Sequence, residues 1–242
     1  MVDAIDSKSI LGCQGAGSSP VIGKLILFDF DGLLVDTEKL HHQAYEEALL
    51  SFNAPLNINF PTYINLAHAA SGTGLKDYIY KTFPNLEGMW IDIRKKKIEI
   101  YSNLLETQLN LMPYAEDFIR LITEKKIPSC VVTNSLKKDV DKIRNKIDAL
   151  NLIPHWLTRE DYENPKPAPD GYIKALSLFP HIKSADCIGF EDTLKGVKAL
   201  QDAKVRPYLI CNPNHPQLEH AKNIAYYPSF EPFVKVGGSL II

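Results

Sequence analysis

The 242-residue chain reads as an α/β protein: a parallel sheet covered by helices, with a block of helices inserted after the first strand. Three features of the chain point there. Short apolar runs of strand length alternate with stretches of helical spacing, the pattern of parallel crossover units. The runs are apolar at nearly every position rather than every second one, as in strands buried on both faces. Between residues 38 and 111 the alternation stops and only helical spacing is found.

Each element has its own signal. The first strand is the run Leu25–Phe28. Helical spacing extends from Glu38 to about Phe52, with Leu40, Ala44 and Ala48 at fours and Asp36 or Thr37 as the cap. Asn53 to Pro61, punctuated by prolines and asparagines, is a connection. A short helix follows at Tyr63–Ala69, a loop at Ser71–Gly74 and a helix at Leu75–Phe83. A longer helix fits Met89–Asn110, with an inward stripe of Ile98, Tyr101, Leu105 and Leu109. Its Arg94-Lys-Lys-Lys97 run then faces water. Beyond it come an amphipathic helix at Tyr114–Lys125, a strand at Ser129–Thr133 and a helix at Leu136–Leu150. A short strand at His155–Thr158 and a helix at Asp170–Phe179 follow. The alternation closes with strands at Asp186–Phe190 and Pro207–Cys211 around a helix at Thr193–Ala203. Trp90 and Trp156 read as packing residues, and His42 as a surface one.

These elements divide the chain into a core (23–37 and 112–242), a helical cap (38–111) and an amino-terminal extension (1–22) that is rich in Gly and Ser from Gly12 to Pro20. The start is acidic rather than basic, unlike a secretory signal. The tail Gly237–Ile242 is expected to be peripheral. A net charge of -2 gives no reason to expect a nucleic acid or an anionic membrane as partner. No run reaches the ~20 apolar residues of a membrane span. Cys13, Cys130, Cys187 and Cys211 form no C-x-x-C pair. They read as reduced thiols of a cytoplasmic protein, not as a zinc site.

Chemistry collects where the strands end. The first strand delivers Asp29 and Asp31. Two acids there repel each other unless a cation sits between them. The second strand offers Thr133, Asn134 and Ser135, the loop after the third Lys166, and the fourth Glu191 and Asp192. In a parallel sheet these ends share one edge, where ligands bind. Acid pairs, a hydroxyl and an ammonium suit a phosphoryl group held with magnesium, which takes oxygen ligands. A carboxylate nucleophile would pass through an aspartyl-phosphate that water hydrolyses. A helical block directly after the first strand hangs over this edge as a lid.

Four segments in order, Asp-Phe-Asp-Gly at 29–32, Val-Val-Thr-Asn-Ser at 131–135, Lys-Pro-Ala-Pro-Asp at 166–170 and Gly-Phe-Glu-Asp-Thr at 189–193, resemble the motifs of the haloacid dehalogenase superfamily. The similarity is to its capped phosphatases and β-phosphoglucomutase-like members, and it spans roughly residues 24–211. It implies a Rossmann-like core with a cap inserted after the first strand. It implies that Asp29 is the nucleophile and a magnesium ligand, and that Asp31 protonates the leaving oxygen, activates water and offers its backbone carbonyl to the metal. Asp192 and Glu191 complete the metal site. Thr133, with the amide of Asn134, and Lys166 hold the phosphoryl group, and Gly32 belongs to the phosphate-binding set. His41 matches a hinge histidine that positions the acid/base aspartate, and Lys76 is a candidate substrate contact from the cap.

Asp31 argues for an oxygen leaving group, because a departing halide needs no proton. The function expected is a magnesium-dependent phosphatase of a small phosphomonoester such as a sugar phosphate, polyol phosphate or nucleotide. A phosphomutase ranks below it, because residues 69–76 contain no arginine. A non-enzymatic binding protein on the same fold is the third reading. The same loop, with neither arginine nor aromatics, suggests weak charge recognition and broad specificity.

Overall fold

The structure is a computed structural model and describes residues 24–67, 73–213 and 215–235. Cys13, the extension, the tail and residues 68–72, which take in the end of the helix expected at Tyr63–Ala69 and the first half of the loop expected at Ser71–Gly74, lie outside the described residues. Six strands form one sheet: β1 (Leu25–Phe28), β2 (Ser129–Val132), β3 (His155–Leu157), β4 (Cys187–Glu191), β5 (Arg206–Ile210) and β6 (Tyr226–Tyr227). Their order is β3-β2-β1-β4-β5-β6 and every pairing is parallel. The chain leaves β1 toward β2 on one side and later reaches β4 on the other. The crevice at the carboxyl ends of β1, β2 and β4 is therefore the switch point of the sheet.

The core helices are α5 (Ala115–Glu124), α6 (Lys137–Arg144), α7 (Asp170–Ser177), α8 (Leu194–Asp202) and α9 (Glu231–Lys235). Alternate residues of each strand face opposite layers. Phe28, Phe190 and Tyr208 meet Phe118 of α5, Phe230 and Phe233 in an aromatic cluster on one face. Leu25, Leu27, Cys130 and Cys187 meet Tyr172 of α7 and Leu200 of α8 on the other. Cys130, Cys187 and Cys211 are free and buried, as expected. Trp156 packs edge-on against Phe30 with Arg144 over its ring.

The cap comprises α1 (Thr37–Ser51), α2 (Phe60–Ala67), α3 (Gly74–Thr82) and α4 (Trp90–Thr107), with α1 and α4 as its principal pair. It buries its own cluster, which includes Leu49, Tyr63, Ile64, Ile79 and Ile93. Each fully buried aliphatic side chain contributes about 2 kcal/mol. Two linkers join cap to core. Asp36 N–H donates to the Asn110 carbonyl and Met112 N–H to the Leu34 carbonyl, both at 2.9 Å. Val35 pairs antiparallel with Leu111. The connection between cap and core is thus a two-stranded ribbon.

Three expectations change. The helix expected at 136–150 stops at Arg144, and a separate 3₁₀ turn spans Asp148–Leu152. Asn145 and Asp148 are poor helix formers, and the break lets Ala149 and Leu150 bury. The stripe of α4 is Ile93, Lys97, Leu104 and Leu105, while Ile98 is 53% exposed. β6 and α9 escape the pattern of the sequence because two and five residues are too short to show a period.

Candidate active site

β1 is held at its end by the Asp29 N–H, which donates to the Phe190 carbonyl of β4 at 3.0 Å. That bond sets Asp29 beside the acids that follow β4. Lys166 Nζ donates to Asp29 Oδ1 at 2.5 Å and to Glu191 Oε1 at 2.6 Å. The Tyr172 hydroxyl donates to the same Glu191 oxygen. Gly196 makes room for this carboxylate, since a Cβ there would lie 1.8 Å from Glu191 Cδ. Lys166 and Glu191 are buried.

Asn134 serves this arrangement with its side chain. Its Oδ1 accepts from the Lys166 N–H at 3.1 Å and from the Tyr162 hydroxyl at 3.0 Å. Tyr162 also donates to the Thr133 carbonyl. The loop that carries Lys166 is therefore locked onto the end of β2. Gly32 sits in the turn that follows β1. Its N–H donates to the Val35 carbonyl at 2.9 Å and so is committed to the turn. Glycine is needed there for two reasons: φ is +75°, and a Cβ would lie 2.2 Å from Asp192 Oδ2.

The charges do not balance. Burial pushes the Asp29 carboxyl up to about 8; Lys166 opposes this, and Glu191 and Asp31 add to it. Burial, then repulsion from Asp29 and Glu191, holds Asp192 well above the usual carboxylate range. Burial alone would lower Lys166, but Asp29 and Glu191 outweigh it and raise the ammonium above its ordinary value. Oxygens of Asp29, Glu191 and Asp192 lie within 4.8 Å of one another. One lysine faces three carboxylates. An all-oxygen donor set with surplus negative charge fits a hard divalent cation.

Asp31 turns to other partners. Its carboxylate accepts from Ser135 Oγ at 2.5 Å, Thr37 Oγ1 at 3.0 Å and Thr133 Oγ1 at 3.3 Å. Burial raises its pKa, and the three hydroxyls oppose the rise without cancelling it. Thr37 opens the cap helix α1, so the acid is gripped by core and cap together. Asp192 is spared capping duty, because the Thr193 hydroxyl accepts from the Gly196 N–H at the start of α8.

The cleft of ≈ 260 Å³ above these groups is also lined by Glu38, His41 and Lys195. Glu38 and His41 line a second cavity of ≈ 320 Å³ inside the cap as well, with Tyr45, Tyr63, Trp90, Lys76, Arg94 and Lys97. His41 stacks on Tyr101 at 4.0 Å, and its Nδ1 accepts from Lys97 Nζ. The Lys97 expectation is overturned, since this lysine is 9% exposed. Burial lowers it to about 8; Glu38 opposes the shift and Arg94 adds to it. Its long stem lets a lysine occupy an inward position of α4. Arg94 stays exposed but lines the cap cavity. Lys76 lines the cavity too and sits over the Tyr80 ring. His42 also differs from expectation. Its side chain is 12% exposed and lies against Tyr63 and Phe60.

The sequence assigned no role to Tyr162, Tyr172 or Glu38, offered Thr37 only as a helix cap and Ser135 only as a strand-end group, and missed Lys97. Only Lys97 carried a usable signal, its spacing of four from Ile93 and from Tyr101. The others depend on which strand ends become neighbours.

A switch-point edge of this kind, under an inserted helical cap, defines a class of capped α/β hydrolases that work at the carboxyl ends of parallel strands. Within that class the sequence decides the family. Residues 26–210 match the haloacid dehalogenase-like hydrolases, and the chain belongs to that family. A (DL)-glycerol-3-phosphatase of Arabidopsis thaliana is 26% identical over 200 residues, 78% of this chain and 79% of its own. A probable pseudouridine-5'-phosphatase of Drosophila melanogaster is 28% identical over 214 residues, 85% and 90% respectively. The structure of CbbY from Rhodobacter sphaeroides in complex with phosphate superposes with a TM-score of 0.67 at 23% identity, covering 90% of this chain and 98% of its own. That likeness supports the fold.

Proposed function

We propose that the protein is a magnesium-dependent phosphatase of small phosphomonoesters that works through an aspartyl-phosphate on Asp29. The observation that carries this reading is the separation of two acids two residues apart. Asp29 joins Lys166, Glu191 and Asp192, while Asp31 rests on three hydroxyls. The first suits a nucleophile and the second a proton carrier.

Asp29, Asp192 and Glu191 would hold the metal, with the Asp31 backbone carbonyl. When bound, magnesium supplies positive charge that offsets these carboxylates and the phosphoryl oxygens. Lys166 and the Thr133 hydroxyl would steady the phosphoryl group. Asp29 attacks phosphorus as the ester oxygen leaves, and Asp31 gives that oxygen its proton. Asp31, now a carboxylate, then takes a proton from the water that attacks the aspartyl-phosphate, releasing phosphate and regenerating Asp29.

The leaving group would extend past His41 into the cap cavity, between Tyr45, Tyr63 and Trp90. Lys76, Arg94 and Lys97 make that cavity cationic. Arg94 and Lys97 lie outside the loop at residues 69–76, and their charge counts against weak charge recognition. The same cations favour a second reading, a phosphomutase that retains an anionic product. Buried thiols at Cys130, Cys187 and Cys211 support a reducing, cytoplasmic setting.

The test is a metabolite screen with an aryl phosphate ester as generic substrate, with and without magnesium. Phosphate release that depends on magnesium and disappears in Asp29→Asn is expected. Isomerised sugar phosphate without free phosphate would select the mutase. No turnover on any ester would reject both.

A further inference from the structure

A turn outside all four motifs reaches back to the metal-side acid. Gln217 lies in the 3₁₀ turn Pro216–His220, beyond β5. Its side-chain amide makes two bonds. Nε2 donates to the Asp192 carbonyl at 2.5 Å, and Oε1 accepts from the Leu194 N–H at 2.9 Å. One planar group thus spans both sides of Thr193. Gln217 is itself held, because its backbone N–H donates to His215 Nδ1 at 3.2 Å.

The four acids of the edge differ in what fixes them. Asp29 and Glu191 are bonded to Lys166, and Asp31 to its hydroxyls. The Asp192 carboxylate has no hydrogen bond or ion pair to another described residue. It lies close to Gly32, where a Cβ would come within 2.2 Å of Oδ2, and its direction follows from its backbone. The Leu194 N–H is also one of the free donors at the start of α8. The Thr193 hydroxyl satisfies Gly196, and Gln217 satisfies Leu194.

We propose that Gln217 is a positioning residue for the metal site: its amide fixes the backbone of residues 192–194, and thereby aims the Asp192 carboxylate at the cation. The proposal rests on the magnesium site proposed above. Partners behind a metal ligand change affinity by roughly 10- to 100-fold when removed. The clamp acts on backbone geometry, so its loss weakens the metal without altering the nucleophile or the proton carrier.

The test is isothermal titration calorimetry of Mg²⁺ into the wild-type chain, Gln217→Met and Gln217→Asn. Methionine removes both bonds at similar volume. Asparagine keeps the amide but is one methylene too short to reach both partners, and serves if the methionine variant does not fold. Roughly ten-fold weaker magnesium binding is expected in either variant. The magnesium concentration for half-activity should rise in parallel, while kcat at saturating magnesium stays within about two-fold. Wild-type affinity in both variants would overturn the clamp alone. No magnesium binding by the wild-type chain would overturn the metal site and the clamp together.

Discussion

The two halves of the catalytic cleft are built on opposite plans. On the core side nearly every polar group is tied to another: Lys166 to two acids, Tyr172 to Glu191, Asn134 to the Lys166 loop. On the cap side Arg94 and Lys76 have neither a hydrogen bond nor an ion pair to a described residue, and aromatic faces supply much of the wall. A rigid edge suits a reaction that needs fixed geometry. A wall of long cations and rings can meet different leaving groups. The difference teaches that chemistry and selectivity here can be altered separately.

The sharpest way to test that separation starts in the core. Asp29→Asn should lower aryl phosphate hydrolysis by about 10⁴-fold or more, because it removes the proposed nucleophile. Its thermal midpoint should not fall, since the carboxylate it replaces is opposed by burial. A variant that keeps a tenth of wild-type turnover would break the assignment. Lys166→Met comes next. It leaves Asp29 and Glu191 buried without their cation, and should lose about 10³-fold in rate and about 3 kcal/mol in stability by urea titration. On the cap side, Arg94→Ala should raise KM about ten-fold for a substrate with a second anionic group and leave the aryl phosphate unchanged. Equal changes for both substrates would show that cap and core do not divide the work.

The smallest effect concerns Lys97. Its folded value of about 8 lies below the ordinary 10.5, so the folded chain binds fewer protons between those values. Stability therefore gains with pH across that window and lacks this gain below it. Lys97→Met should be neutral to stabilising by up to about 2 kcal/mol at pH 7. Its advantage over wild type should shrink as pH rises from 8 to 10.5, measured by urea titration at several pH values. An advantage that is constant with pH would show that the ammonium is not the strained group.

The same contrast explains what the sequence could reveal. Asp29, Asp31, Thr133, Lys166, Glu191 and Asp192 are legible because each sits at or after an apolar run, or in a proline-marked loop, where polarity stands out. The sheet was legible for the same reason, since fully buried strands leave unbroken apolar runs. The cap was legible as helices but not as a surface. The phase of α4 slips by one residue when Lys97 is read as polar, and Ile98 is then placed inside. The break at residues 145–148 and the short β6 and α9 follow from packing rather than from local pattern. The closeness of Gly32 to Asp192 depends on a strand far downstream in the chain, which no local pattern shows.

That distance has a consequence during synthesis. β1 pairs with β2 and β4, and both lie far downstream in the chain. At about 5–20 residues per second, β4 follows β1 from the ribosome after roughly 10–30 s. The central strand is thus made first but gains its second neighbour only once β4 is made. Before β2 is made, the nascent chain can complete the cap between Thr37 and Thr107, which has a cluster of its own. The insertion that closes over the finished cleft is also the segment that can fold while β1 waits.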